Sequence, residues 1–136
     1  ANGDSMAVRP AFHKRLQKEL EALQRSREDG ISVQECVDAN TWRVSVVGAP
    51  ETLYAGEQFT LRFRFPERYP LESPEVVFER PAPLHPHIYA NGHICLSILY
   101  DQWTPALTVH AVCMSIVSML SSCTEKVAPQ DNNSYV

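Results

Sequence analysis

Apolar residues at helical spacing predict that the chain begins its folded part with an amphipathic helix. Phe12, Leu16, Leu20 and Leu23 recur every three or four positions, the spacing at which side chains line one face of a helix. We therefore expect a helix from residue 11 to about residue 26, with Gly30 ending the segment.

Four short apolar runs after Gly30 predict a β-sheet. The run Phe59–Phe65 alternates most regularly, with phenylalanines and a leucine at the odd positions and Thr60, Arg62 and Arg64 between them. This period of two places Phe59, Leu61, Phe63 and Phe65 on the inner face of the strand. It predicts antiparallel strands whose other face is exposed to solvent. The short separations favour a meander. The four expected strands are Ile31–Cys36, Thr41–Val47, Phe59–Phe65 and Glu75–Glu79.

A second helix is predicted near the end of the chain, after an irregular loop. Apolar positions recur at helical spacing between Val109 and Cys123, which favours a helix packed on the sheet, with Cys113 and Cys123 as small buried side chains. Pro86 and Gly92 resist regular structure, so residues 84–94 should form an ordered loop.

These elements predict a single α+β domain. The chain has 136 residues, of which 44% are hydrophobic, enough for one modest core. We expect a flexible tail over residues 1–10, a core domain over residues 11–123, and a loose polar tail over residues 124–136.

Charge and cysteine content narrow the function classes. The net charge of −4 does not favour nucleic-acid binding, and no apolar run approaches the ~20 residues of a membrane span. The four cysteines form no Cys-x-x-Cys pair and no secretory signal is visible, so reduced thiols in the cytoplasm or nucleus are expected.

Cys95 is the candidate nucleophile because it lies at the end of the irregular loop. A free thiol is mostly protonated at pH 7, with a pKa of about 8.5, and His87 and His93 are near it in sequence. Sequence distance alone does not establish a cysteine–histidine pair. A zinc site from His85, His87, His93 and Cys95 is the other possibility, but its spacing matches no known finger, and His85 is expected to form structural hydrogen bonds in the loop.

Four motifs in order resemble those of ubiquitin-conjugating enzymes. They are Tyr54-x-Gly56-x-x-Phe59, Phe65-Pro66-x-x-Tyr69-Pro70-x-x-x-Pro74, His85-Pro86-x-x-x-x-x-Gly92-x-Ile94-Cys95-Leu96 and Trp103-Thr104-Pro105-Ala106. The match extends over roughly residues 12–123. The His85-Pro86-His87 sequence in the third motif is similar to that of the W-type branch and its plant relatives. That family usually continues further, so we expect the C-terminal part of the fold to be short or missing here.

The resemblance implies an acyltransferase whose cysteine, here Cys95, carries ubiquitin as a thioester before an amine attacks it. It implies ubiquitin, a ubiquitin-activating enzyme, a RING-type or U-box-type ligase and protein substrates as partners. No metal or organic cofactor is implied, since ATP is used by the activating enzyme.

The resemblance also assigns contact surfaces to this chain. Lys14, Arg15 and Lys18 are candidates for binding the activating enzyme, although a solvated helix face would also account for them. Two loops are candidates for docking the ligase, through Phe65, Pro66, Thr104, Pro105 and Ala106. Tyr69 and Pro70 fit a structural turn, and Trp103 is either a buried anchor or a ligase contact.

Two departures from the family pattern bear on the acceptor. His87 stands where most members have an asparagine, so it either supports the loop, donates to the oxyanion or does neither. Ser97 stands where many have an acidic residue. Losing both groups should hinder lysine, with a pKa of about 10.4, more than an α-amino group with a pKa of about 7.7–8.0. The W-type branch that this chain resembles is known for modifying protein N-termini. The resemblance and the two departures together lead us to expect transfer to α-amino groups in preference to lysine.

Asn91 and Asp131 are weaker candidates for the site. Asn91 would contribute to catalysis or simply form an Asn-Gly turn, and Asp131 would steer the amine. A ubiquitin-like modifier in place of ubiquitin, or an inactive ubiquitin-binding variant of the fold, are the alternatives to ubiquitin conjugation.

Overall fold

The computed structural model describes residues 2–131, with side chains from Pro10 onward. Its helices are α1 (Asn2–Arg25) and α2 (Val109–Ser121), with short 3-10 turns at Arg27–Asp29 and Ser97–Leu99. Its strands are β1 (Ile31–Asp38), β2 (Thr41–Val47), β3 (Gln58–Arg64) and β4 (Glu75–Phe78). No helix within residues 2–131 combines the length and apolar character that a bilayer span requires.

The sheet is the meander that the alternating residues predict. All three strand pairs are antiparallel and follow chain order β1-β2-β3-β4. Leu61 and Phe63 of β3 and Val44 of β2 are fully buried, while Arg62 and Arg64 face solvent. The two helices cover the apolar face, since α2 packs against β2 and α1 contacts both β1 and α2.

Helix α1 begins nine residues earlier than expected. Residues 2–10, which the sequence assigned to a flexible tail, are part of this helix, with Pro10 inside it. Proline removes one backbone donor and strains the preceding turn, but the helix continues on both sides of it. Gly30 ends the segment as predicted, in a left-handed conformation with its N–H donated to the Arg27 carbonyl.

Part of the segment after α2, which the sequence assigned to a loose tail, contacts the core. Lys126 pairs with Glu57 at 2.8 Å and lies 4.7 Å from the ring centre of Tyr54, and Pro129 is buried. Residues 132–136 of the predicted tail lie outside the described residues.

Candidate active site

The loop between β4 and the 3-10 turn at Ser97–Leu99 is irregular but held at several points. Ile88 and Ile94 are buried and pair with each other in an isolated β-bridge. The Cys95 N–H donates to the His87 carbonyl at 2.9 Å, which holds the backbones of these two residues side by side. The predicted ordered loop is therefore confirmed, and it presents Cys95 at the surface, where the residue is exposed.

His85 fastens this loop to α2. Its Nδ1 accepts the backbone N–H of His87 at 2.9 Å, and its Nε2 lies 3.2 Å from the Met119 carbonyl. An acceptor at Nδ1 and a donor at Nε2 define the neutral imidazole. Burial lowers the pKa of His85, which favours that form. The structural role expected for His85 is confirmed.

Gly92 turns the loop where it meets β4. Its φ of +94° is in the left-handed region, and a Cβ added there would lie 2.1 Å from the Phe78 carbonyl oxygen. The Asn91 side chain accepts the His93 N–H at 3.0 Å. Asn91 thus forms the Asn-Gly turn, the simpler of its two expected roles.

The His87 side chain is exposed, and the backbone of His87 is hydrogen-bonded to that of Cys95. The hydrogen bonds that hold the loop at this position come from the backbone of His87 and from the ring of His85. The His87 ring lies 5.6 Å from the His85 ring. It lines a cavity of about 310 Å³ between the loop and the segment after α2, together with Cys123, Thr124, Glu125 and Val127.

Ser97 and Asp131, the two other polar residues considered near the site, lie at different places relative to Cys95. Ser97 is exposed and opens the 3-10 turn that follows Cys95. The Asp131 carboxylate accepts the Tyr89 hydroxyl at 3.0 and 3.1 Å, so it contacts the loop six positions before Cys95. Histidine, cysteine and carboxylate groups do not gather in threes at a metal-sized site anywhere in the described part of the chain.

The remaining cysteines differ in their surroundings. Cys113 is fully buried, and burial raises the pKa of its thiol. Cys123 is half-buried and packs against the core, so its expected burial is only partial. Its sulfur lies 3.4 Å from the Tyr54 hydroxyl and 3.2 Å from the Glu125 carbonyl, and these polar contacts hold it at the edge of the core.

Of the residues expected to dock a ligase, Phe65 is placed differently from the expectation. Its side chain is 1% exposed and packs edge-on against Trp42 and Tyr69, so the ring offers no contact surface. The alternation along β3 correctly placed it inward. Pro66 is half-buried, and Thr104, Pro105 and Ala106 are exposed.

Trp103 and Tyr69 anchor the two loops from inside. The Trp103 indole N–H donates to the Pro70 carbonyl at 2.8 Å, and Trp103 packs against the core. Tyr69 is buried and donates its hydroxyl to Glu19 at 2.6 Å. The structure therefore gives Trp103 an anchoring role, although its side chain is half-buried.

The three candidate cations on α1 are not equivalent. Lys14 and Lys18 are exposed. Arg15 is half-buried and binds within the chain, to Glu19 and to the carbonyls of Pro105 and Leu107. The sequence also missed Glu19, a buried carboxylate. A signal was available, since Phe12, Leu16, Glu19 and Leu23 are spaced by four, three and four, as residues on one buried face are.

Comparisons with known proteins agree with this geometry. The family model described as ubiquitin-conjugating enzyme matches residues 15–136. The chain is 56% identical over 122 residues to the probable ubiquitin-conjugating enzyme E2 16 of Arabidopsis thaliana, covering 90% of this chain and 76% of that protein.

A second relative and a solved structure extend the agreement. The chain is 54% identical over 125 residues to the probable ubiquitin-conjugating enzyme E2 W of Dictyostelium discoideum, covering 92% and 84% of the two chains. The crystal structure of UbcA1, a ubiquitin-conjugating enzyme E2 from Agrocybe aegerita, superposes with a TM-score of 0.84 at 43% identity, covering 90% and 91%. The expected similarity to the W-type branch and its plant relatives is confirmed.

Proposed function

The chain belongs to the ubiquitin-conjugating enzyme family, and on that premise we propose that Cys95 accepts ubiquitin and passes it to protein N-terminal α-amino groups in preference to lysine. The observation that carries the first part is the exposed Cys95 on a loop whose backbone is held from both sides. A sulfur that receives an already activated acyl group needs access and a fixed position.

The proposed reaction has two acyl transfers. The Cys95 sulfur attacks the thioester between ubiquitin and the activating enzyme, forming a bond to the ubiquitin C-terminal carbonyl carbon and releasing the activating enzyme's thiol. An amine then attacks the same carbon, forming an amide. The amine loses a proton, and Cys95 is released as a thiol. Of the three candidate cations on α1, Lys14 and Lys18 are exposed, and these two are proposed to contact the activating enzyme.

His87 is the group proposed to donate to the oxyanion. Loop support, its other expected role, already rests on the His85 ring and on the His87 backbone. The His87 side chain is exposed, and its backbone is joined to that of Cys95; one positioned oxyanion donor contributes ~10²–10³ in rate. Asn91, whose side-chain oxygen is bound to a backbone N–H, is not assigned a chemical role.

The preference for α-amino groups follows from what surrounds Cys95. Position 97 is a serine and supplies no carboxylate to deprotonate an attacking amine. At pH 7.5 about a third of an α-amino group is neutral, against ~0.1% of a lysine amine. An enzyme that does not itself deprotonate the amine should favour the α-amino group by roughly 250-fold on this basis alone.

The docking surface for a RING-type or U-box-type ligase is proposed to comprise Pro66, Thr104, Pro105 and Ala106. Of the five candidate residues, Thr104, Pro105 and Ala106 are exposed and Pro66 is half-buried, while the buried Phe65 supports them from inside.

The experiment compares single-round discharge of the charged enzyme onto free lysine and onto a lysine-free peptide with an open N-terminus, at equal amine concentration and pH 7.5. We expect faster discharge onto the peptide. The double variant His87→Asn, Ser97→Asp should raise the lysine rate, and His87→Asn, Ser97→Asn, which lacks the carboxylate, is its matched control. Faster wild-type discharge onto lysine would overturn the preference while leaving conjugation itself intact.

A further inference from the structure

The buried Glu19 carboxylate binds groups on three separate elements of the fold. It is 5% exposed and accepts three hydrogen bonds, from Arg15 Nε at 2.8 Å, from the Tyr69 hydroxyl at 2.6 Å and from the Val109 N–H at 2.6 Å. Val109 is the first residue of α2, where a carboxylate completes an open backbone donor. One side chain of α1 therefore binds the start of α2 and the turn after β3.

Arg15 extends this contact to the loop that carries Thr104, Pro105 and Ala106. While its Nε binds Glu19, a terminal nitrogen donates to the carbonyls of Pro105 at 3.1 Å and Leu107 at 2.8 Å. The guanidinium carbon also lies 5.6 Å from the ring centre of Tyr69. The planar fork of arginine suits a carboxylate on one side and two carbonyls on the other, whereas the single ammonium of lysine does not.

The loop has few other constraints between its anchored ends. Trp103 fixes one end through the Pro70 carbonyl, and the Val109 N–H bound to Glu19 fixes the other. The side chains of Thr104, Pro105 and Ala106 between them are exposed. Among the described residues, the hydrogen bonds to the backbone beneath these side chains come from one internal turn, from the Leu107 N–H to the Thr104 carbonyl, and from Arg15.

We propose that Arg15, oriented by Glu19, is a positioning residue that fixes the Thr104–Ala106 loop in the conformation a ligase binds. This assigns Arg15 a role different from the contact with the activating enzyme expected from the sequence. The proposal about Arg15 rests on the proposed function in one respect, namely that the Thr104–Ala106 loop docks a ligase.

The effect should fall on ligase affinity more than on the chemical step. A loop that samples several conformations binds more weakly, because only the competent fraction of molecules binds. Once the complex has formed, the loop is held by the partner. Loss of Arg15 should therefore raise the apparent KM for a ligase roughly tenfold, equivalent to about 1.4 kcal/mol, with kcat at saturating ligase changed less than twofold.

The test uses Arg15→Lys and Arg15→Gln in the full chain, with an isolated RING domain chosen because it accelerates wild-type discharge. Both variants should show the raised KM. Arg15→Lys retains the positive charge, so it would restore wild-type behaviour if Arg15 acted only as a surface cation. The matched control is Arg25→Gln, an exposed arginine of the same helix, which should leave the KM within twofold.

Amide hydrogen exchange of a peptide spanning residues 103–108 gives a readout that does not depend on ubiquitin chemistry. Exchange at Leu107 should be at least fivefold faster in both Arg15 variants, while exchange in β2 and β3 stays unchanged and so reports an intact fold. An unchanged KM, or rescue by lysine, or unchanged exchange at Leu107 would overturn the proposal. Failure of wild type to form a thioester would instead refute the proposed function, and the exchange result would still decide the role of Arg15.

Discussion

Gly92 offers the most direct test of how tightly the Cys95 loop is held. Its φ is +94°, and an added Cβ would lie 2.1 Å from the Phe78 carbonyl oxygen. Gly56 has a similar φ of +75°, but a Cβ there would meet nothing within 4 Å. Gly92→Ala and Gly56→Ala therefore share the backbone strain and differ in the collision.

The two substitutions should have clearly different costs. A left-handed alanine is strained by about 1–2 kcal/mol, partly offset by ~0.4–1 kcal/mol because alanine also restricts the unfolded chain. We expect about 1 kcal/mol for Gly56→Ala. At Gly92 the neighbouring backbone must also move by about 1 Å. That movement breaks the hydrogen bond from the Phe78 N–H to the Gly92 carbonyl, now 2.9 Å, for a further ~1–3 kcal/mol.

Urea denaturation of both variants measures the difference in the free energy of unfolding. We expect Gly92→Ala to lose about 2–4 kcal/mol and to accept ubiquitin more slowly, because the displaced loop moves Cys95. Gly56→Ala should charge at the wild-type rate. Equal losses for the two variants, or a stable Gly92→Ala that charges normally, would refute the argument that the packed turn positions the sulfur.

Three further predictions concern buried groups of the fold. Glu19→Gln should lower the free energy of unfolding, measured by urea titration, by about 3 kcal/mol, because a buried acceptor of three hydrogen bonds becomes partly a donor. The exposed control Glu21→Gln should change it by no more than ~0.5 kcal/mol, and a loss below ~1 kcal/mol for Glu19→Gln would contradict the prediction. Burial lowers the pKa of His85 in the folded state, so the unfolded chain binds the proton more readily. Stability should therefore fall as the pH drops below the unfolded pKa of about 6.5. Between pH 7.5 and 5 the melting temperature of His85→Gln should fall less steeply than that of wild type, and an equal slope would contradict a neutral, buried His85. Cys113→Ser should lose ~1–3 kcal/mol because a hydroxyl replaces a fully buried thiol, yet still form the ubiquitin adduct when assayed below its melting temperature; loss of the adduct in folded protein would contradict the inert role of Cys113.

The sheet and both helices were predictable because their burial follows the local period. Leu61 and Phe63 alternate with arginines that cannot be buried without partners, and this fixes which face of β3 is inward. The same alternation includes Phe65, whose ring is buried as the pattern requires. The expectation that Phe65 contacts a ligase, which would require an exposed ring, came from the family resemblance and not from this alternation.

What the sequence could not show depends on contacts between distant elements. Glu19 is a charged residue on a buried stripe, and its burial is acceptable only because Arg15, Tyr69 and the Val109 N–H converge on it. The start of α1 has no clear local signal, because residues 1–10 are small and polar and include two helix breakers, Gly3 and Pro10. The contact between Asp131 and Tyr89, 42 residues apart, likewise has no local signal.

Cys95 as the ubiquitin acceptor is the claim on which the other functional inferences depend. The direct measurement incubates the chain with activating enzyme, ATP and ubiquitin, and resolves the products with and without reducing agent, for wild type and Cys95→Ser. The account predicts a wild-type adduct that reducing agent removes, and for Cys95→Ser an oxyester adduct that survives it. A reducible adduct that forms equally well on Cys95→Ser would contradict it.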